Sequence, residues 1–173
     1  EMLEKNFNCI QTSSMGRLFD TVAAIIGIIK NISYQAQAAI ELETIAKDNI
    51  RETYSYKIKL IKDQFIINTD MMVKEILYDR KKKINNSVIS GKFHNTIIQF
   101  SFKMCQLLKR KFGINHVALS GGVFQNEILF NGLLKKLIDT EYKVYTHSKV
   151  PCNDGGLSLG QLVIASRTER SKS

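Results

Sequence analysis

The sequence predicts an α/β layer architecture, and three features carry that prediction. The last third runs strand, helix, strand, helix in short succession, the order that stacks strands and covering helices into layers. A stretch near residue 57 alternates apolar and polar residues with the period of a half-buried strand. On either side of it, apolar residues recur every three or four positions, the period of amphipathic helices.

Taken in order, residues 16–29 (GRLFDTVAAIIGII) place Leu18, Val22, Ile25, Ile26 and Ile29 on one helical face. A short loop at Lys30-Asn31 leads to a second helix, Gln35 to about Lys47. Tyr54, Tyr56, Ile58 and Leu60 then alternate with Ser55, Lys57 and Lys59, giving a strand. Asp63-Gln64 turns the chain into a returning strand, Phe65 to Asn68. Thr69-Asp70 can cap a helix reaching about Lys83, which Asn85-Asn86-Ser87 breaks. The longest helix follows, from about Val88 to Phe112, with Phe93, Ile97, Phe100, Met104, Leu107 and Leu108 at helical spacing and Gly113 as its stop. Then come a strand (His116 to Leu119), a Ser-Gly-Gly turn, a helix (Gln125 to Ile138), a strand (Lys143 to Thr146), a loop, and a last helix from about Gly155. The segment RTERSKS, 167–173, reads as a polar tail at the C-terminus.

With 173 residues, 44% hydrophobic and 24% charged, the chain can build one domain with a sizeable core or one lobe of a larger enzyme. Ten Gly and one Pro exclude collagen-like and proline-rich disordered classes. The longest apolar run, Val22 to Ile29, is about two helical turns, far short of a membrane span, so no membrane partner is expected. The net charge of +9 invites a nucleic-acid reading, but 19 of the 25 basic residues are Lys, scattered through helices and turns. The densest cluster, Arg80-Lys81-Lys82-Lys83, ends a helix, where cations favour the helix dipole. It reads as a solvated face, and no nucleic-acid partner is expected. Cys9, Cys105 and Cys152 show no CxxC spacing, which fits a reducing cytoplasm, with Cys105 in the core. The chain begins at Glu1 rather than Met and lacks a signal peptide, and it reads as a piece of something longer.

Three places could carry chemistry. Ser120-Gly121-Gly122 lies between a strand and a helix, where small residues let backbone amides approach a phosphate; the same pattern also serves as packing punctuation. Asn126, read as one turn into that helix, can hydrogen-bond a base or ribose, or simply start the helix. In Pro151-Cys152-Asn153-Asp154-Gly155-Gly156, Asp154 sits at a strand's C-terminal end, where ligands collect in open α/β sheets; its carboxylate could hold a divalent metal or cap the following helix. Asp20, on an otherwise apolar helix, could accept hydrogen bonds from ribose hydroxyls. The histidines His94, His116 and His147 form no HxxxH or HExxH pair, and His94 reads as a satisfied structural histidine.

Read together, SSMGRLFDTVAAIIGI, ISYQAQAAIELE, FHNTI, VALSGGVFQNEILFNGLL and VPCNDGGLSLGQ resemble, in this order, the C-terminal part of the hydrogenase maturation carbamoyltransferases of the HypF family. The resemblance covers roughly Thr12 to Ala165; the hairpin region contributes least. It implies one lobe of an actin-like ATPase (ribonuclease H-like) fold, a mixed sheet with packed helices, of the kind shared with TsaD and the O-carbamoyltransferases. Residues 1–173 would be the second lobe of a two-lobed domain whose N-terminal lobe, with the family's HxxxH pair, lies outside this chain.

The resemblance further implies a carbamoyltransferase that uses ATP and carbamoyl phosphate, holds carbamoyl-adenylate, and passes the carbamoyl group to the C-terminal cysteine of a HypE-like acceptor. The product becomes the cyanide ligand of [NiFe]-hydrogenase. By motif position Asp20 contacts the ribose, Gly121 and Gly122 the phosphates, and Asn126 the adenosine. Asp154 joins a divalent metal, iron or zinc, with Mg accompanying ATP; histidines outside the chain complete the site, and the metal acts as a Lewis acid on carbamoyl or phosphoryl oxygens. Where the family usually reads YEGQAA, this sequence has Tyr34-Gln35-Ala36-Gln37, placing Gln35 and Ala36 beside the nucleotide. The isolated lobe is expected to be inactive. The alternatives are a TsaD-like or O-carbamoyltransferase domain, against which the GRLFD and FHN strings speak, and a degenerate non-catalytic nucleotide-binding or docking module.

Overall fold

A computed structural model describes the chain except Leu3, Asn6, Asn8, Ile10, Gln11, Lys30 and residues 171–173, so the loop expected at Lys30 and the end of the expected tail lie outside the described residues. The elements are α1 (Met15–Ile26), α2 (Gln37–Thr44), β1 (Lys57–Ile61), β2 (Gln64–Asn68), α3 (Asp70–Lys81), α4 (Asn86–Phe112), β3 (His116–Ala118), α5 (Glu127–Ile138), β4 (Lys143–Tyr145) and α6 (Leu157–Arg170). Short 3-10 turns at Gly122–Gln125 and Asp154–Gly156 precede α5 and α6. The polar tail is correspondingly shorter than expected, because helix continues to Arg170.

The core forms between α1, α2, α3 and α4. Helix α1 buries Phe19, Val22, Ala23 and Ile26, an i, i+3, i+4, i+7 stripe that packs on α2 and α3. It stops three residues before Ile29, because Gly27 adopts φ 75° and returns its amide toward Ala23 and Ala24. Ile29 is therefore only half-buried, beyond the helix end. Helix α4 buries Phe93, Ile97 and Phe100 against this stripe, but it outlasts the core: Met104 and Leu107 are half-buried and Leu108 is exposed. The expected break at Asn85-Asn86-Ser87 is instead the start of α4. Asn85 accepts from the Ser87 amide at 2.9 Å, and Asn86 Nδ2 donates to the Ile26 carbonyl at 3.2 Å, satisfying the end of α1.

The strand expected from Tyr54 begins only at Lys57. Residues 54 and 55 are extended, but side chains bond their amides in place of a neighbouring strand: Tyr54 N–H donates to Thr96 Oγ1 at 2.8 Å and Ser55 N–H to Glu75 Oε2 at 2.9 Å. The Tyr54 ring is buried, with its hydroxyl donating to Asp79 Oδ2 at 2.9 Å and Lys92 Nζ 4.3 Å from its centroid. Burial and the Asp79 carboxylate push its phenol well above the usual range. β1 and β2 form an antiparallel hairpin with Ile58 opposite Ile67 and Leu60 opposite Phe65. Its turn is at Lys62-Asp63, both at positive φ, one residue earlier than expected. The hairpin projects past the core, which leaves Leu60 exposed.

β3, α5 and β4 make a βαβ unit in which β3 and β4 pair in parallel, Val117 against Val144. The expected mixed sheet is thus divided: the antiparallel pair and the parallel pair are separate two-stranded sheets among the described residues. Leu119, Leu133, Leu137 and Tyr142 form a second small core under α5, with half-buried Cys105 against it. Helix α6 exposes Leu157, Leu159, Leu162 and Val163. None of the described helices is long and apolar enough to cross a membrane. The Arg80–Lys83 cluster is exposed, as read, at the end of α3.

Candidate functional site

A cleft of about 760 Å³ opens where three elements converge. The first turns of α1 bring Ser14, Met15, Gly16 and Phe19; α2 brings Ala36, Ala39, Ile40 and Glu43; the turn before α5 brings Gly121, Gly122, Val123 and Gln125. Its walls are mostly apolar, with few polar groups, the usual character of a small-molecule site.

Gly121 shapes the turn. It stands at φ 105°, ψ 154°, a conformation essentially confined to glycine. Its amide donates to the Cys152 carbonyl at 2.8 Å and its carbonyl accepts from Phe124 N–H at 3.0 Å, so the turn is pinned on both sides. The amides of Gly122 and Val123 have no acceptor among the described residues. They lie at the start of a 3-10 turn, where no intrahelical acceptor exists, and are free for an anion. The amides of α5 itself are not. Glu127 N–H donates to Glu43 Oε1 at 2.6 Å and Ile128 N–H to the same oxygen at 3.2 Å, while Leu129 N–H donates to Asn126 Oδ1 at 2.8 Å. Anion capacity sits one turn earlier than the start of the helix.

Asn126 is the N-cap of α5 rather than a residue one turn into it, because the 3-10 turn consumes the preceding residues. Leu129 N–H demands the oxygen of its amide, so Nδ2 faces His94 Nε2 and donates at 3.0 Å. His94 is fully buried; its other nitrogen, Nδ1–H, donates to the Ser90 carbonyl at 2.8 Å. The network selects the neutral Nδ1–H tautomer. Burial holds the imidazole below the usual histidine range, against a smaller raising contribution from the Ser90 bond. His94 is thus a satisfied structural histidine, and it positions Asn126. Nothing local in the sequence links the two, 32 residues apart.

Four of the expected residues, Ala36, Gly121, Gly122 and Asn126, line the cleft. Asp20 and Gln35 do not. Asp20 is half-buried, 3.5 Å from Arg17 Nη1, one helical turn after Gly16. Gln35 is exposed ahead of α2. The expected start of α2 at Gln35 moves to Gln37 because Ala36 takes φ 63°, a left-handed conformation that costs a residue with a Cβ. Replacing Ala36 by Gly is expected to stabilise the fold by about 1 kcal/mol, measured by urea unfolding. No gain would mean that the backbone at 36 relaxes to negative φ.

Asp154 lies in a neighbouring depression of about 310 Å³ that shares Gly121 with the first cleft. It is exposed, and the cap it could have provided comes from Asn153, whose Oδ1 accepts from Gly155 N–H at 3.1 Å. Across the same depression His147 Nε2 is 2.9 Å from Ser120 Oγ. No group of three or more His, Cys, Asp or Glu side chains among the described residues could hold a metal ion. One carboxylate does not make a metal site, and this chain's residues do not fit a metal unaided. Sequence reasoning missed Glu43, Phe19 and Ile40. Phe19 was accessible from the i, i+3 spacing to Val22; Glu43 meets α5 across 84 residues, with no local signal.

Residues 1–161 match the family described as the second subdomain of the Kae1-like domain of carbamoyltransferases. The chain belongs to the HypF carbamoyltransferase family. It is 35% identical over 154 residues to carbamoyltransferase HypF of Synechocystis, covering 88% of this chain and 19% of that protein. It is 31% identical over 161 residues to the probable carbamoyltransferase HypF of Methanocaldococcus jannaschii, covering 92% and 20%. The chain therefore spans about a fifth of the length of these HypF relatives. It is similar to full-length HypF solved in its phosphate- and nucleotide-bound form, at 44% identity and a TM-score of 0.90, over 96% of this chain and 22% of that one. Likeness to HypF of T. kodakarensis, at 21% identity and a TM-score of 0.73, covers 98% and 22% and concerns the fold. The expected α/β lobe of a HypF-type carbamoyltransferase domain is borne out.

Proposed function

We propose that the cleft between α1, α2 and the Gly121 turn binds the nucleotide part of ATP or carbamoyl-adenylate, and that this lobe forms half of a carbamoyl-transfer site. The observation that carries the reading is the pair of free amides at Gly122 and Val123, beside a wall at Gly121 shared by both depressions. Phosphoryl oxygens would accept from these amides, and adenosine would lie between α2 and the turn. Asp20, one turn below Gly16, would take the ribose hydroxyls, and the turn at Gln35-Ala36, with Ala36 in the left-handed region, would flank them. Asn126 would act through the wall it holds, since its amide is engaged inward. Asp154 would be the single ligand that this chain adds to a divalent metal whose histidines lie elsewhere.

In a longer protein the held carbamoyl group would pass to the C-terminal cysteine of a HypE-like acceptor, a step of cyanide-ligand maturation for [NiFe]-hydrogenase, with carbamoyl phosphate and ATP as substrates. A thiolate attacks the carbamoyl carbon and AMP leaves; the amides at 122 and 123 would hold the departing phosphoryl group. Ala36 favours a second reading, a degenerate nucleotide-binding or docking module, because its methyl group stands on the cleft wall where the family has glycine. Restoring Glu at 35 and Gly at 36 in a complete enzyme should raise activity if degeneracy is the cause.

The test is titration of the chain with ATP. Weak binding with shifts at the Gly122 and Val123 amide resonances is expected. Tight, metal-dependent binding by calorimetry would overturn the half-site reading. Gly121→Ala should cost about 1–3 kcal/mol of stability and remove binding, because its backbone conformation excludes a Cβ. Gly122→Ala is the contrast: an added Cβ there meets nothing nearer than 3.8 Å in the free protein, so folding should survive while binding weakens.

A further inference from the structure

Resting on the nucleotide reading above, we infer that Glu43 selects the base, accepting a hydrogen bond from the 6-amino group of adenine. Glu43 lines the cleft from α2, two turns after Ala36, roughly 10 Å along the helix. One of its oxygens, Oε1, is fixed by the Glu127 and Ile128 amides at 2.6 and 3.2 Å. The other makes no hydrogen bond among the described residues and belongs to a carboxylate on the cleft wall. A carboxylate held this way cannot rotate to lose its orientation, and it offers only an acceptor.

The surroundings suit a flat heterocycle. Ala39 and Ile40 on α2 give an apolar surface, and Phe19 adds a second apolar wall. The phosphate-accepting amides lie at the turn end, so the base extends between α2 and the start of α5, toward Glu43. There a 6-amino group meets an acceptor, whereas the 6-oxo group of guanine or hypoxanthine brings a second acceptor against a negative charge.

The two α5 amides make the inversion testable. In Glu43→Gln the amide oxygen must face Glu127 and Ile128, which turns Nε2 toward the cleft. The acceptor becomes a donor, and a 6-oxo purine becomes the complementary base. Titrations of the chain with ATP, ITP and GTP, read by amide chemical shifts at millimolar nucleotide, should give ATP an advantage of about tenfold or more over ITP. Glu43→Gln should shrink that ratio by about tenfold or reverse it, while the Gly122 and Val123 shifts persist. ITP lacks the 2-amino group of GTP and changes the base only at C6 and its neighbour N1, and its comparison with ATP on the unaltered chain needs no variant to fold. Equal ATP and ITP affinity, or an unchanged ratio in Glu43→Gln, would overturn the role of Glu43 while leaving the nucleotide reading intact. Absence of shifts at Gly122 and Val123 with every nucleotide would overturn both.

Discussion

Replacing Asn126 by Ala is expected to lower the unfolding free energy by about 2–4 kcal/mol. The substitution removes the cap of α5, which typically costs ~1 kcal/mol, and leaves His94 Nε2 as a buried acceptor without a donor, a further penalty of about 1–3 kcal/mol. Urea unfolding at neutral pH measures the sum. A loss below about 1 kcal/mol would mean that the network is not coupled to folding.

The same network sets a pH dependence. Burial lowers the native His94 pKa below its unfolded value of about 6.5, so the unfolded chain binds more protons in the window beneath that value. The contribution is complete above pH ~6.5 and is lost as pH falls through the window, so stability rises with pH there. Asn126→Asp keeps an oxygen for Leu129 N–H but aims its second oxygen at His94 Nε2, which favours the imidazolium. The raised pKa contributes stability at low pH that disappears as pH rises through it. The slope of stability between pH 5 and 7 should therefore be less positive than in the parent chain, or negative. Parallel curves would mean that His94 does not titrate on unfolding.

Phe93→Ala should be more damaging, about 3–5 kcal/mol, with a fall in melting temperature of roughly 6–20 °C. Phe93 is fully buried in the N-terminal third of α4, and its ring meets Phe19 edge-on with centroids 4.8 Å apart and planes at 75°. Phe19 in turn lines the cleft. The cavity left behind would therefore loosen the α1 wall as well as the core, and nucleotide binding should weaken with stability. Phe93→Leu should recover most of the loss, since an apolar side chain of comparable volume refills the site. Full retention of binding in Phe93→Ala would show that the cleft wall is held by α2 and the Gly121 turn without it.

The elements were legible where local physics decides them. The stripe of α1, the long apolar period of α4 and the strand-turn-helix around Gly121 each follow from a few neighbouring residues. Boundaries failed where a distant group intervened. The chain enters β1 late because Thr96 and Glu75 take the amides of Tyr54 and Ser55; α4 starts early because Asn86 caps α1. The helix of Gln125 to Ile138 was shifted because a 3-10 turn and an N-cap use up its first residues, and that shift changed the meaning of Asn126.

Composition, periodicity and ordered motifs suffice to give this chain its α/β class, its family resemblance and the glycine turn on which the cleft depends. Those properties reside in short stretches, where backbone preference and the period of burial leave few alternatives. Which amides remain free is a tertiary matter. Glu43 occupies the start of α5 from α2, 84 residues away, and moves the anion-accepting backbone to Gly122 and Val123. Asn126 likewise turns inward only because α4 presents His94 to it. A hydrogen-bonding group is available to a ligand only if no other part of the chain has reached it first, and that competition is settled when the helices pack.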